Sequence, residues 1–289
     1  MSESLLATAL ASARSFLFVP ANRPERYAKA LASGADAVIV DLEDAIAPGD
    51  KLLARQALLH AVASLDATQR SRLLVRINAA GTPWHADDLA ALRGLATPGA
   101  VGIAAVMVSK AESPTALAGV AAAAGPACAL LPLIESVAGL DSLDALAASP
   151  QVMRLAFGHL DFQADAGLAC GPDESELTPV RLALVLASRR AALAAPVDGI
   201  SPGTQDTVQL GLDAARSRRG GFGGKLCIHP AQVAVVNAAF APSVQEVKWA
   251  HRVQAAFTAA GGGVFSLDGR MVDAPVLRLA QRTLAQAGP

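Results

Sequence analysis

The sequence predicts an α/β chain of the (β/α)8 TIM-barrel class with a C-terminal helical and hairpin arm. Three observations predict it. Eight short apolar runs alternate with Ala- and Leu-rich helical stretches across 289 residues, a rhythm that builds a parallel sheet. Eight strand–helix units over this length suit a closed barrel better than an open doubly wound sheet. No GxGxxG follows the first run, which removes the usual signature of a dinucleotide-binding sheet.

Taken in order, the strand Phe16–Val19 feeds a helix near Pro24–Ser33, and Ala37–Val40 feeds Leu52–Ser64. Leu73–Ile77 is followed by Ala86–Arg93, Ile103–Val108 by Pro114–Ala123, and Ala129–Leu133 by Leu140–Ala147. Leu155–Phe157 leads to Pro179–Ala194, a weak strand near Val197–Ile200 leads to Thr204–Ser217, and Lys225–Ile228 completes the set. Next come helices at Ala231–Phe240 and Val244–Ala260, then Gly261-Gly262-Gly263. A hairpin-like Val264–Met271 turning at Asp268-Gly269 and a last helix from Ala274 end the chain. This tail exceeds what a closed barrel needs. The expected division is a catalytic barrel at residues 1–230 and an arm at residues 231–289, packing on the barrel mouth or on a neighbouring subunit.

Composition narrows the class of function. Apolar residues make up 53% and charged residues 17%, which suits a large buried core; with aromatics at 4%, Ala, Leu and Val must fill it. A net charge of −1 leaves no electrostatic footprint for nucleic acid. No run approaches the ~20 apolar residues that span a bilayer. Leu5–Ala13 faintly resembles a signal h-region but lacks a basic flank, follows Glu3 and leads into a strand, so it reads as a short helix or ragged terminus. Cys128, Cys170 and Cys227 are far apart with no CxxC, the pattern of buried thiols in a reducing cytoplasm rather than a disulfide or zinc framework.

The run Val38-Ile39-Val40-Asp41-Leu42-Glu43-Asp44 carries the strongest local signal. A buried strand ending in three carboxylates needs cations, donors or a metal nearby, because packed carboxylates repel one another and resist desolvation. The other strand ends add Asn22 and Arg23, Arg76 and Asn78, Ser109 and Lys110, Glu135, His159 and Asp161, and His229. In a barrel these positions share the C-terminal face, where catalytic groups sit. Carboxylates from separate strands beside an Arg and a Lys suit a Mg²⁺ site for an oxygen-rich anion, with Glu135 and Asp161 as the cleanest pair.

Blander readings stand beside these. Arg76 lies inside an apolar run and could be a structural partner of Glu43. Lys110 could be a solvated loop residue, and His159 a hydrogen-bonded histidine in a loop. His229-Pro230 reads as a cap for the next helix. Gly220-Gly221-Phe222-Gly223-Gly224 lacks the Walker spacing and precedes a strand, so it reads as an αβ turn.

Seven segments in order carry a family resemblance: Arg14–Pro20, Asp41–Ala45, Val75–Asn78 with Thr82-Pro83-Trp84, Ile134-Glu135-Ser136, Phe157-Gly158 with Asp161-Phe162, Gly224–Gln232 and Gly269–Pro275. Together they resemble the citrate lyase β-subunit family, which groups with malyl-CoA and citramalyl-CoA lyases in the HpcH/HpaI aldolase superfamily. The resemblance implies a Mg²⁺-dependent (or Mn²⁺-dependent) carbon–carbon lyase joining or splitting an acyl-CoA and a 2-oxo acid. It places metal ligands on Glu135 and Asp161, the substrate-carboxylate arginine on Arg76, and coenzyme A contacts on Phe18, Arg23, Lys29 and His229. Glu135 would also touch substrate through the metal. Glu43 and Asp44 would support Arg76 and metal-bound water. Asp273 would protonate the enolate in a neighbouring subunit's site, in a homotrimer or hexamer.

The sequence departs from the family pattern at His159 and Leu160, at Asp198–Thr204, and in the helix Arg181–Ala195, which keeps only Ser188-Arg189 of the usual Tyr-Ala-Arg-Ser run. These changes bear on substrate choice; a bulky Leu160 beside the metal would favour a small 2-oxo acid. Two alternatives stay open: a citrate lyase β-subunit acting on citryl-acyl-carrier protein with partner subunits, and a catalytically silent paralogue. Retention of Glu135, Asp161, Arg76 and Asp273 together argues against the latter.

Overall fold

The computed structural model describes residues 9–96, 102–261 and 263–287. Residues 5–8 of the Leu5–Ala13 stretch and Gly262 of the glycine run lie outside the described residues, and residues 9–12 are helical. Eight parallel strands close in chain order: β1 Ser15–Pro20, β2 Ala37–Asp41, β3 Leu73–Ile77, β4 Ala105–Val108, β5 Ala129–Ile134, β6 Ala156–Phe157, β7 Val197–Asp198 and β8 Gly224–Cys227. β1 pairs with both β2 and β8, which completes the (β/α)8 barrel. Between the strands lie α1 Tyr27–Leu31, α2 Lys51–Ser64, α3 Ala67–Arg70, α4 His85–Ala96, α5 Pro114–Ala124, α6 Val137–Asp141, α7 Leu143–Ala147, α8 His159–Ala166, α9 Thr178–Arg190 and α10 Thr207–Arg219; α11 Pro230–Phe240 follows β8. Among the described residues no helix is long and apolar enough to cross a membrane.

Strand parity connects the core to the site. Phe16, Ala37, Ile39, Leu74, Ala105, Met107, Leu131, Leu133, Ala156, Val197 and Leu226 form one buried cluster inside the barrel. Side chains alternate across a strand, so the next inward positions toward the C-terminal ends are Phe18, Asp41, Arg76, Ser109, Glu135 and Gly158. The apolar stack thus passes directly into a polar layer. Each large apolar side chain in the stack contributes ~1.5–3 kcal/mol on burial, and that scaffold holds the polar layer in place.

At the opposite end Arg154 is fully buried. Its Nη1 donates to Leu10 O at 3.0 Å and Ala13 O at 2.7 Å, and its Nε donates to Ala195 O at 2.7 Å. The glycine run beside it is an αβ turn with close backbone approach: a Cβ on Gly224 would lie 2.6 Å from Arg14 O. Cys128 and Cys227 are buried free thiols, pushed up to about 12 by burial, whereas Cys170 is only half-buried.

Three sequence expectations change. His159 is not in a loop: α8 begins on it, directly after β6. This helix buries only His159 and Phe162, too few residues to print a helical stripe on the sequence. The Leu140–Ala147 stretch divides into α6 and α7, and Pro24–Ser33 into a 3-10 turn and α1. The 230/231 boundary moves to Asn237/Ala238, within α11. Val236 is fully buried and Asn237 Nδ2 donates to Gly34 O at 3.0 Å, so most of α11 belongs with the barrel.

The second unit, Ala238–Pro289, has its own small core. Its helix α12 Val244–Ala259 starts with a Ser243/Glu246 capping box. The hairpin strands β9 Phe265–Leu267 and β10 Arg270–Val272 turn through Asp268 and Gly269, both at positive φ as a two-residue turn requires. Helix α13 Ala274–Ala287 packs on α12 around Ala250, Val253, Val272 and Ala280.

Candidate active site

Register brings Asp41 of β2 beside Arg76 of β3. Arg76 Nε and Nη2 donate to the two oxygens of Asp41, each at 2.7 Å, a bidentate pair between buried groups. Its Nη1 meets Glu43 Oε2 at 2.9 Å and Asp44 Oδ2 at 3.2 Å. The ring of Phe18 lies 4.8 Å from the guanidinium carbon. Burial opposes the charge on Arg76, but Asp41, Glu43 and Asp44 outweigh it and hold the guanidinium cationic beyond its ordinary range. Glu43 is pushed up to about 7 by burial, against the pull of Arg76, and also accepts from Ser109 Oγ at 2.6 Å. The Arg76–Glu43 pair therefore exists, with Asp41 as the principal partner.

The neighbouring register, Ile134 beside Phe157, places Glu135 next to Gly158. Gly158 is required there, because a Cβ would stand 2.5 Å from Glu135 Oε2. Glu135 is 3% exposed, and its Oε1 accepts the Lys110 N–H at 2.7 Å. Burial, helped by the charges of Glu43 and Asp161, pushes Glu135 up to about 8. Asp161 is exposed in the first turn of α8. Glu135, Asp161, Arg76, Asp41, Asp44 and Phe18 all line one cavity of roughly 400 Å³.

These residues fit a hard divalent cation. Glu135 is an oxygen ligand buried at a cost that a cation would relieve, and Asp161 supplies a second carboxylate open to water. Among the described residues no cluster of three or more His, Cys, Asp or Glu forms a complete metal cage. A site with two protein carboxylates leaves positions for water and substrate, the pattern Mg²⁺ adopts.

The other sequence-predicted residues divide. Lys110 is exposed with φ 42°, and it serves Glu135 through its backbone, so the solvated-loop reading describes its side chain. Arg23 is exposed and pairs with Glu25 at 2.6 Å; Lys29 is exposed on α1. His229 is exposed, and its Nδ1 accepts the Ala231 N–H at 3.2 Å, which is the capping role. Of the four coenzyme A positions, Phe18 lines the cavity and Arg23, Lys29 and His229 do not. Asp273 lies in the second unit, where its Oδ1 accepts the Val276 N–H at 3.2 Å at the start of α13. Leu160 lines the cavity beside Asp161.

A second charge cluster, unforeseen in sequence, occupies the β6–β8 side. Glu174 meets His159 Nε2 at 3.2 Å, Arg216 Nη2 at 2.8 Å and Arg181 Nη2. Arg181 Nε also reaches both oxygens of Asp198 at 3.2 Å, and Lys225 Nζ donates to Gly199 O at 2.7 Å. Burial would raise Glu174, yet the contacts to His159 and Arg181 hold it down at about 2. Gly199 makes room for the imidazole, since a Cβ there would lie 2.1 Å from His159 Nδ1. The available signal was a charge within each of two short strands, Asp198 and Lys225; the partners of Asp198 on α9 and α10 leave no local trace.

A closed parallel barrel with a carboxylate pair and a caged arginine at its strand ends is of the class that gathers its chemistry on that face. The chain belongs to the HpcH/HpaI aldolase/citrate lyase family, whose pattern matches residues 14–230. It is 36% identical over 278 residues to a citrate lyase subunit beta-like protein of Mycobacterium tuberculosis, covering 94% of this chain and 95% of the relative. It is 33% identical over 277 residues to a (3S)-malyl-CoA thioesterase of Cereibacter sphaeroides, covering 95% and 94% respectively. Its fold superposes on protein CitE of Mycobacterium tuberculosis in complex with magnesium, acetoacetate and coenzyme A, with a TM-score of 0.82 and 35% identity. That match covers 96% of this chain and 99% of the other.

Proposed function

We propose that the protein is a Mg²⁺-dependent lyase that splits, or forms, a 3-hydroxyacyl-CoA of the malyl or citramalyl type into an acyl-CoA and a 2-oxo acid. The observation that carries this reading is the single cavity shared by Glu135, Asp161 and the caged Arg76. The CitE structure with magnesium, acetoacetate and coenzyme A supports it.

Glu135 and Asp161 would hold magnesium, which when bound would supply Lewis-acid polarisation of the substrate's oxygens. Arg76 balances charge on the oxo-acid half, its head oriented by Asp41 so that it binds without reorganising. The hydroxyl proton passes to water in the cavity, the C–C bond breaks with its electron pair going to the thioester as an enolate, and the former carbinol carbon leaves as the 2-oxo acid. Glu43 and Asp44 keep Arg76 in position, and Asp44, at the open edge, orders water. Asp273 of a neighbouring subunit protonates the enolate carbon, which makes a homotrimer or hexamer the working form. Phe18 meets the thioester end of coenzyme A in the cavity, and Arg23, Lys29 and His229, exposed outside it, meet the rest of that long molecule.

The test is to incubate the protein with Mg²⁺ and a panel of 3-hydroxyacyl-CoAs and identify products by mass. Paired release of a 2-oxo acid and an acyl-CoA is the expected result. Free coenzyme A with an intact hydroxy acid would replace lyase chemistry by the thioester hydrolysis in the name of the Cereibacter relative. Turnover confined to an acyl-carrier-protein substrate with partner subunits would make it a citrate lyase β-subunit.

A further inference from the structure

Lys51 opens α2 and is 5% exposed, yet it touches no carboxylate directly. Its Nζ donates to Leu42 O, Glu43 O and Asn78 Oδ1, each at 2.7 Å, and lies 5.0 Å from the centre of the Trp84 ring. An ammonium carries three protons, and all three are used. None remains for a substrate, so Lys51 is not a catalytic residue. It grips two successive carbonyls of the loop whose side chains, Glu43 and Asp44, reach Arg76.

The far side of this grip is anchored away from the cavity. Asn78 Nδ2 donates to Leu42 O at 3.0 Å and to Asp88 Oδ2 at 2.6 Å, and its backbone N–H donates to the same oxygen at 2.9 Å. Asp88 is fully buried on α4 and takes Arg55 Nη1 of α2 at 3.0 Å. An unbroken chain of polar contacts therefore runs from the outer helices through Lys51 to the loop beside Arg76.

We propose that Lys51 is a positioning residue, a clamp that fixes the loop Leu42–Ile46 so that Glu43 and Asp44 hold Arg76 in its substrate-binding pose. The inference rests on the reading of Arg76 as the residue that meets the substrate carboxylate. Without the ammonium, the Glu43 carbonyl and Asn78 Oδ1 lose a buried donor, and Arg76 keeps only Asp41 to orient it.

The test uses the full-length Mg²⁺-loaded protein and the variants Lys51→Met and Trp84→Leu. Hydrogen exchange reads the loop directly, because the amides of Leu42, Glu43, Ala45 and Ile46 are bonded to Arg76 O, Asp41 Oδ1, Asp41 Oδ2 and Glu43 O. In Lys51→Met these amides should exchange at least roughly tenfold faster while β5 and β6 keep wild-type protection. Trp84→Leu, which removes only the ring beside the ammonium, should show the same change at smaller amplitude. Should Lys51→Met fail to fold, Trp84→Leu carries the test alone, and wild-type exchange in the loop would overturn the clamp. In kinetics, Lys51→Met should lower kcat about 30-fold with KM for the acyl-CoA within about threefold. The pair Lys51→Met with Glu43→Gln should be no slower than the slower single variant, because both act through Arg76. Additive losses, or a loss in KM alone, would refute the positioning role. A wild-type protein without lyase activity would sink the proposed reaction and leave the exchange result to decide the clamp.

Discussion

The two buried charge clusters at the strand ends are built on opposite principles. On the β2–β3 side one guanidinium faces three carboxylates, and the nearby ammonium of Lys51 spends its protons on neutral oxygens. On the β6–β8 side one carboxylate, Glu174, faces two guanidiniums and an imidazole, and a second, Asp198, shares Arg181. The first cluster has negative charge left over beside the cavity, and burial, reinforced by the neighbouring carboxylates, pushes Glu43 and Glu135 up. The second has cations enough to hold Glu174 at about 2. A site for a metal and an anionic substrate calls for the former; a wall that holds its shape calls for the latter.

The contrast can be broken at three points. The largest effect belongs to the carboxylate pair: Glu135→Ala and Asp161→Ala should each cut Mg²⁺-dependent turnover by at least about 10³-fold in a folded protein. Wild-type rates in either variant would remove the metal assignment. Next comes the caged arginine. Arg76→Lys should lower kcat/KM roughly 10²-fold, because an ammonium cannot reproduce the bidentate pair with Asp41. Arg181→Met, its counterpart, should instead cost ~3–5 kcal/mol of stability by leaving buried carboxylates unpaired. Its activity should stay within about tenfold of wild type. Equal activity losses in the two variants would erase the distinction, as measured by steady-state rates and denaturant melts side by side.

The smallest effect concerns pH. Glu174 is held below its ordinary value of 4.5, so its stabilising contribution is complete above that pH and is lost as pH falls through about 2. Thermal melts between pH 4.5 and about 2 should show a steeper decline in wild type than in Glu174→Gln. Parallel curves would mean that the cluster contributes nothing beyond packing.

Much of the barrel was legible because buried parallel strands are short continuous apolar runs, and the eight observed strands fall on the eight runs. Glu135 and Arg76 stood out because the one follows an apolar run and the other interrupts one, and the structure sets both beside Asp161 on one cavity. Helix α8 was not, since two buried residues cannot make a periodic stripe. Asp41 was visible in the acidic run, but its rank above Glu43 as partner of Arg76 depends on the β2–β3 register, a nonlocal quantity. Lys51 and Glu174 were hidden for a related reason. Their partners lie up to 27 and 42 residues away, and nothing in either local sequence marks a buried charge.

The passage from apolar stack to polar layer along each strand has a consequence for how this chain can vary. Ile39 and Asp41, Leu74 and Arg76, and Leu133 and Glu135 occupy successive places on the same side of their strands. Exchanging one side chain edits one rung. Deleting a residue ahead of Ile39 would instead turn Val40 and Leu42 inward and carry Asp41 to the helix side, so core and chemistry would fail in one stroke. The strands should therefore tolerate substitution far better than a change of length, and new specificity has to come from the segments beyond the last rung, such as the first turn of α8, where Leu160 lines the cavity beside Asp161.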